Sequence, residues 1–293
     1  MLSETVLNGA AGAVLGLLIG SFLNVVIHRL PRMMEQQWRA ECAQYLQELA
    51  EKEPIRGAST ALPAPQEALS LSKPRSRCPH CGHAIAWHEN IPVLSYLFLR
   101  GRCAECKKTI SPRYPLVEVA CAALFAFCLA RSGLTAAGFA WCGFSAALLA
   151  LALIDWDTTL LPDSITLPLL WAGLAASALQ WTGVPLAQSV WGAIAGYLSL
   201  WLIYWAFKLA TGKEGMGYGD FKLFAALGAW FGWQALIPII LMASVVGAVI
   251  GVALKINSQL REGGYVPFGP FLAGGGFISL IWGPQSILHA IGL

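Results

Sequence analysis

The sequence predicts an all-α polytopic membrane protein. It should have about eight transmembrane helices and a small cytoplasmic, zinc-ribbon-containing domain between the first and second of them. Three observations carry that expectation. The 293 residues are 57% hydrophobic and only 12% charged, with a mean hydropathy of +0.61, which is too apolar for a soluble domain of this size. Apolar runs near the ~20 residues that a bilayer-crossing helix needs recur along the chain. Finally, 13 of the 19 Lys and Arg fall between Arg29 and Arg113, which marks that segment as cytoplasmic by the positive-inside rule. The N-terminus then faces outward.

The first span is Val6 to Ile27. It lacks a basic n-region and a cleavage site, so it reads as a retained span rather than a secretory signal. Gly12, Gly16 and Gly20 recur every four residues and give one face on which another helix can pack closely. Asn24 reads as a helix-packing hydrogen-bonder. His28-Arg29-Leu30-Pro31 reads as a cytoplasmic stop. Beyond it, Met34, Trp38, Cys42, Tyr45 and Leu49 follow a helical spacing, so Met33 to Glu53 is expected as a separate amphipathic helix. The Ala-, Ser- and Pro-rich stretch from Ile55 to Pro74 reads as a linker. The domain division expected is 1–27 as first span, 28–115 as cytoplasmic domain and 116–293 as membrane domain.

Cys78-Pro-His-Cys81 and Cys103-Ala-Glu-Cys106 stand 21 residues apart. Two such pairs on a basic segment predict a structural Zn²⁺ site, because thiolates at this spacing converge on a tetrahedral ion. Disulfides are the alternative, and a reducing cytoplasm argues against them. Arg75, Arg77, Arg102, Lys107 and Lys108 are placed to offset the −2 charge of four thiolates around one Zn²⁺. His80, His83 and His88 read as neighbours of the site rather than ligands. Cys121, Cys128 and Cys142 lie in apolar runs and read as packing residues.

From Leu116 onward the chain is almost continuously apolar. Spans are expected near Leu116–Ala130, Ala136–Ile154, Ile165–Trp181, Leu186–Phe207, Phe221–Leu236, Ile237–Leu254 and Phe268–Leu288. The glycine pairs Gly228/Gly232 and Gly247/Gly251 offer further close-packing faces. Val266 to Gly276, rich in Pro and Gly, reads as a non-helical segment entering the membrane, tolerable only where protein covers it. Lys208, Lys213, Lys222, Lys255 and Arg261 fall in loops on the cytoplasmic side, whereas Arg131 dissents.

Counting spans from an outward N-terminus places Asp155 and Asp220 on the same side at matching depth. Asp155 lies in Leu153-Ile-Asp-Trp-Asp-Thr-Thr-Leu-Leu-Pro-Asp163, and Asp220 in Gly217-Tyr-Gly-Asp220. Carboxylates at a membrane boundary are costly and point to function. Two that share a proton can activate water and protonate a leaving amine, which is aspartyl-protease chemistry. Taken singly, each aspartate can be explained as a helix cap or a wet-loop residue, Asp163 after Pro162 above all.

Together these residues resemble the type IV prepilin leader peptidases, membrane aspartyl proteases that also N-methylate their product. The likeness runs through Gly20-Ser-Phe-Leu-Asn-Val-Val-Ile-His-Arg-Leu-Pro31, both cysteine pairs and Glu89-Asn-Ile-Pro-Val-Leu-Ser-Tyr96. It continues through Arg100-Gly-Arg-Cys103, Ser111-Pro-Arg-Tyr-Pro115, Leu153-Ile-Asp155 to Leu161-Pro-Asp163, and Gly217-Tyr-Gly-Asp220. The resemblance implies catalysis by Asp155 and Asp220, and cleavage of prepilins or type II secretion pseudopilins after a glycine on the cytoplasmic face. It also implies methylation of the new N-terminal amine, typically of phenylalanine, with S-adenosylmethionine. The methyl-transfer region falls in His28–Arg113, where Glu89 and Gly101 are the candidate cofactor-binding residues. The partners implied are the lipid bilayer and the pilus or type II secretion machinery, with no nucleic acid, in the inner membrane of a bacterium. A presenilin-like protease is one rival, but it has no reason to carry the cysteine pairs. A proton-coupled transporter is another, but it should show internal repeats with paired broken helices.

Overall fold

The computed structural model describes residues 2–52, 69–257, 266–290 and 292. Most of the expected linker and Arg261 lie outside the described residues. Those described are helical, apart from short loops and two isolated β-bridges. The helices are α1 (Leu2–Lys52), α2 (Leu94–Phe98), α3 (Arg113–Ser132), α4 (Ala136–Thr158), α5 (Asp163–Ala178) and α6 (Leu186–Thr211). They continue with α7 (Tyr218–Phe231), α8 (Leu236–Ile256), α9 (Gly269–Trp282) and α10 (Pro284–Ala290). The chain divides into two compact units. One combines Met1–Gly20 with Glu118–Leu293, and the other is Ser21–Val117.

Every expected apolar run coincides with a helix, but the helices differ in length. Among the described residues, α1, α3, α4, α6 and the helical stretch Trp233–Ile256 are long and apolar enough to cross a membrane. A sixth span is possible if α9 and α10, bent by 99° at Gly283, count as one. At 16 and 14 residues, α5 and α7 are shorter than α3, α4, α6 and α8, and α9 has 14 residues as well.

The first helix does not stop at Pro31, as expected from the sequence; α1 continues through it to Lys52. A proline inside a helix removes one hydrogen bond and costs about 3 kcal/mol. The returning chain supplies contacts that offset this. Arg29 Nη1 donates to the carbonyls of Ser70 and Leu71 at 2.9 and 3.3 Å, and Leu69 N–H donates to Gln36 Oε1 at 3.3 Å. These contacts hold α1 on both sides of Pro31. The amphipathic stretch is therefore the second half of α1 rather than a separate helix. Asn24 makes the packing hydrogen bond expected of it, donating from Nδ2 to the Tyr114 carbonyl at 3.1 Å.

In the larger unit the small residues set how closely the helices approach. A Cβ on Gly12, Gly16 or Gly20 would stand 2.5–2.7 Å from backbone atoms of Phe125, Ala122 and Glu118 on α3. At the centre lies α7, on which only Tyr218, Gly219 and Lys222 are not buried. It is enclosed by α5, α6 and α9. Gly192 of α6 and Gly228 of α7 meet backbone to backbone, with no room for a side chain on either. Neither helix axis can retreat without losing the contacts along its whole length. Gly228→Val is therefore expected to destabilise the unit by about 3 kcal/mol. Thermal unfolding of the purified protein in detergent checks this through a lowered midpoint.

Two further differences from the sequence reading have physical causes. The Val266–Gly276 stretch is helical from Gly269 onward. Pro270 occupies the first turn, where a missing N–H costs nothing. Gly275 and Gly276 let the helix lie against Ile239 and Leu227. Arg131, the basic residue that departs from the charge pattern read in the sequence, has a local task. Its Nη1 reaches the Leu280 and Ile281 carbonyls at 3.4 and 3.5 Å, at the negative end of α9.

Candidate active site and metal centre

Asp155 sits in the last turn of α4 and Asp220 in the first turn of α7. Both are buried, at 5% and 6% exposure. A carboxylate at the C-terminal end of a helix faces the unfavourable end of its dipole. For Asp155 a second helix offsets this, since Gly269 N–H at the start of α9 donates to Oδ2 at 2.9 Å. Behind it α4 ends on Thr159, whose left-handed backbone returns its N–H to the Asp155 carbonyl. Asp220 receives Gly217 N–H on Oδ2 at 3.2 Å, and its buried Oδ1 has no hydrogen-bond partner among the described residues.

One leucine ties the two carboxylates together. A Cβ on Gly269 would lie 2.6 Å from Asp155 Oδ2 and 3.2 Å from Leu161 Cδ1, and one on Gly219 would lie 2.6 Å from Leu161 Cβ. Leu161 is thus held between the glycine beside Asp155 and the glycine preceding Asp220. The two carboxylates are within electrostatic reach of each other. Of the two glycines of Gly-x-Gly-Asp, Gly219 cannot carry a side chain, whereas a Cβ on Gly217 would meet atoms no closer than 3.8 Å.

Asp163 is not a helix cap, because Pro162 takes that position without a side-chain cap. Both of its oxygens instead accept from Lys222 Nζ at 2.7 Å, which joins the start of α5 to α7. Asp157, by contrast, is exposed. The part played by Gly269 was not read from the sequence. The available signal was Pro270, which marks a helix start and so a free N–H just before it.

In the smaller unit, the Sγ atoms of Cys78, Cys81, Cys103 and Cys106 all lie within 4.8 Å of one another. The closest pairs are Cys78–Cys106 at 3.8 Å and Cys81–Cys103 at 3.9 Å. A tetrahedron with metal–sulfur bonds of about 2.3 Å has edges of about 3.8 Å. The four thiols are therefore gathered at close to the spacing of a tetrahedral ion's ligands.

The two knuckles also repeat each other in their hydrogen bonds. Cys78 N–H donates to the His83 carbonyl as Cys103 N–H does to Lys108, and Gly82 N–H to Cys78 as Lys107 N–H does to Cys103. The bridges Arg77–Ala84 and Arg102–Thr109 match in the same way. Backbone N–H groups of Cys81 and His80 draw the Cys78 thiol down to about 6, which readies a thiolate.

His83 is a neighbour of this centre rather than a ligand, with Nε2 on Glu89 and Nδ1 on Glu105, both at 3.0 Å. Glu89 accepts from Ala86 N–H and from His83, and these bonds hold its carboxyl below the usual carboxylate range. Gly101 takes a left-handed φ of +67° in the turn after α2, against the Tyr96 ring. Glu89 and Gly101 both help shape the knuckle unit. Cys121, Cys128 and Cys142 are buried in the larger unit, as a packing role requires.

Two family models match the chain. The Bacterial Peptidase A24 N-terminal domain covers residues 14–132, and the Type IV leader peptidase family covers 142–252. Curated relatives cover almost the whole length. A prepilin leader peptidase/N-methyltransferase of Stutzerimonas stutzeri is 50% identical over 93% of this chain and 90% of its own. One of Burkholderia pseudomallei (strain 1026b) is 52% identical over 94% and 85%, and one of Pseudomonas aeruginosa is 50% identical over 92% and 89%. No solved structure matches the chain.

Proposed function

Because this chain belongs to the family of prepilin leader peptidases/N-methyltransferases, and so removes prepilin leaders and N-methylates the product, we propose that Asp155 and Asp220 perform the cleavage and that residues 28–115 serve the methyl transfer. The observation that carries the first half is the buried carboxylate pair gathered around Leu161. One carboxylate removes a proton from water as the water attacks the scissile carbonyl. The other donates a hydrogen bond to that carbonyl oxygen and passes a proton to the leaving nitrogen. The Oδ1 of Asp220, buried and without a hydrogen-bond partner among the described residues, has its hydrogen-bonding capacity left for water or substrate. Gly269 and Gly217 hold the opposite oxygens in place.

Substrate and topology follow from the same placement. A prepilin is cut just before a long apolar helix, and a site at the end of a helical bundle lets that helix stay in the lipid. With eight crossings and an outward N-terminus, the last turn of α4 and the first turn of α7 both lie on the cytoplasmic side of the inner membrane. The short α7 is tolerable as a crossing because protein surrounds it. Type II pseudopilins, which share this layout, are substrates of the same site, and the pilus or type II secretion machinery receives the product.

For methyl transfer, positioning is the main requirement, since a neutral amine must lie in line with the sulfonium methyl of S-adenosylmethionine. A knuckle unit stapled by Zn²⁺ on Cys78, Cys81, Cys103 and Cys106 supplies a rigid support. All four positions are thiolates, so no open coordination position remains and the ion is structural. Glu89 and Gly101 stand beside this support as the candidate contacts.

The experiment is mass spectrometry of mature pilin from Glu89→Gln and Gly101→Ala variants, reading leader removal and the single-methyl increment separately. Methylation is expected to fall roughly tenfold or more while leader removal stays near that of the unaltered protein. Retained metal content is the control for folding. A parallel fall of both readouts across the series would replace the two-site reading with one shared site.

A further inference from the structure

The smaller unit carries an apolar surface that the chemistry above does not use. Leu94, Leu97 and Phe98, spaced as one face of α2, are 52%, 64% and 84% exposed, and Trp87 nearby is 78% exposed. Leaving four large apolar side chains in water within twelve residues forgoes burial that a folded unit normally takes.

The cations are next to them. A cavity of about 290 Å³ is lined by Phe98, Leu99 and Cys103 together with Arg100, Arg102 and Lys107. Between residues 69 and 113 there are eight Lys and Arg against Glu89 and Glu105 alone among acidic residues. That excess stays positive even beside a tetrathiolate centre of charge −2. Arg100 and Lys107 are both held in left-handed backbone, at φ 51° and 59°, at the turns bordering the cavity. The turns thus fix where these two side chains start, and Lys107 Nζ also donates to the Ala104 carbonyl at 2.6 Å.

We propose that Leu94, Leu97 and Phe98, with the cavity beside them, form a docking site for anionic phospholipid of the adjoining leaflet. The apolar side chains enter the acyl boundary, and Arg100, Arg102 and Lys107 receive the phosphate headgroups. Charge complementarity selects this occupant. An apolar face alone would suit another protein equally well, but a cavity ringed by three cations at its edge fits an anionic headgroup. The chain adds a second reason. Only 14 residues separate Phe98 from Arg113, where the apolar helix α3 begins, so the site is tethered close to the membrane.

The test uses the full chain in lipid nanodiscs with Phe98→p-benzoylphenylalanine as a photo-crosslinker. Irradiation is expected to give lipid adducts at least about fivefold more often in discs containing phosphatidylglycerol than in phosphatidylcholine alone. Adding Arg100→Asn and Lys107→Asn, in which asparagine tolerates the left-handed backbone, should bring the yield down to the phosphatidylcholine level with metal content unchanged. Inorganic phosphate added in excess should not compete, which separates a lipid surface from a free-phosphate site. Adducts mainly to protein, or a lipid yield indifferent to lipid charge and to the two substitutions, would overturn the proposal. Competition by inorganic phosphate would overturn it as well.

Discussion

Asp220→Asn is expected to stop leader cleavage, lowering the initial rate on purified prepilin by at least about 10³-fold, with Asp155→Asn doing the same. The size follows from removing one member of an acid–base pair. The fold should survive both changes. An asparagine oxygen can still accept the N–H of Gly217 at position 220 and of Gly269 at position 155, so each helix end keeps its contact. Asp157 is exposed and outside the pair, and Asp157→Asn should retain most of the rate. Gel separation of precursor from product measures all three. Near-normal processing by Asp155→Asn would remove Asp155 from the pair.

Cys103→Ala is expected to have the largest structural effect. Cys103, at 6% exposure, is one of the two cysteines that close the second knuckle against the first. Structural zinc on such sites contributes ~10–16 kcal/mol of apparent binding energy that is also folding energy. Three thiolates hold the ion far less well than four, so the knuckle unit should lose both metal and order. Metal analysis should find about one zinc per chain in the unaltered protein and almost none in the variant. Limited proteolysis should cut the variant readily between residues 69 and 113. A chelator should reproduce both effects in the unaltered protein. Purified protein that carries no zinc, or whose four cysteines react freely with a thiol reagent in the native state, would contradict the assignment.

The features legible in the sequence were those whose chemistry is local or periodic. The cysteine spacing foretold the cluster, and the four-residue repeat of Gly12, Gly16 and Gly20 foretold the close-packing face of α1, which the structure sets against α3. Asp155 and Asp220 could be matched in depth by counting spans, without knowledge of their contacts. What escaped depended on partners far away in the chain. Pro31 reads as a stop because the contacts of Arg29 and Gln36 with residues 69–71 cannot be seen locally. Asp163 reads as a cap because Lys222, 59 residues on, takes both its oxygens. The helix at Gly269–Trp282 was obscured by its glycines, which serve close packing there. Its N-terminal N–H on Asp155 was hidden for the same reason.

The most direct test of the two-site account gives purified Asp220→Asn protein two substrates in the presence of S-adenosylmethionine. One is intact prepilin and the other is the same pilin already freed of its leader. The account predicts no leader removal from the first and methylation of the second at the rate of the unaltered protein, read as the single-methyl mass increment. Loss of methylation on the leader-free pilin, by a protein that still holds its metal, would contradict it and join both reactions at Asp220.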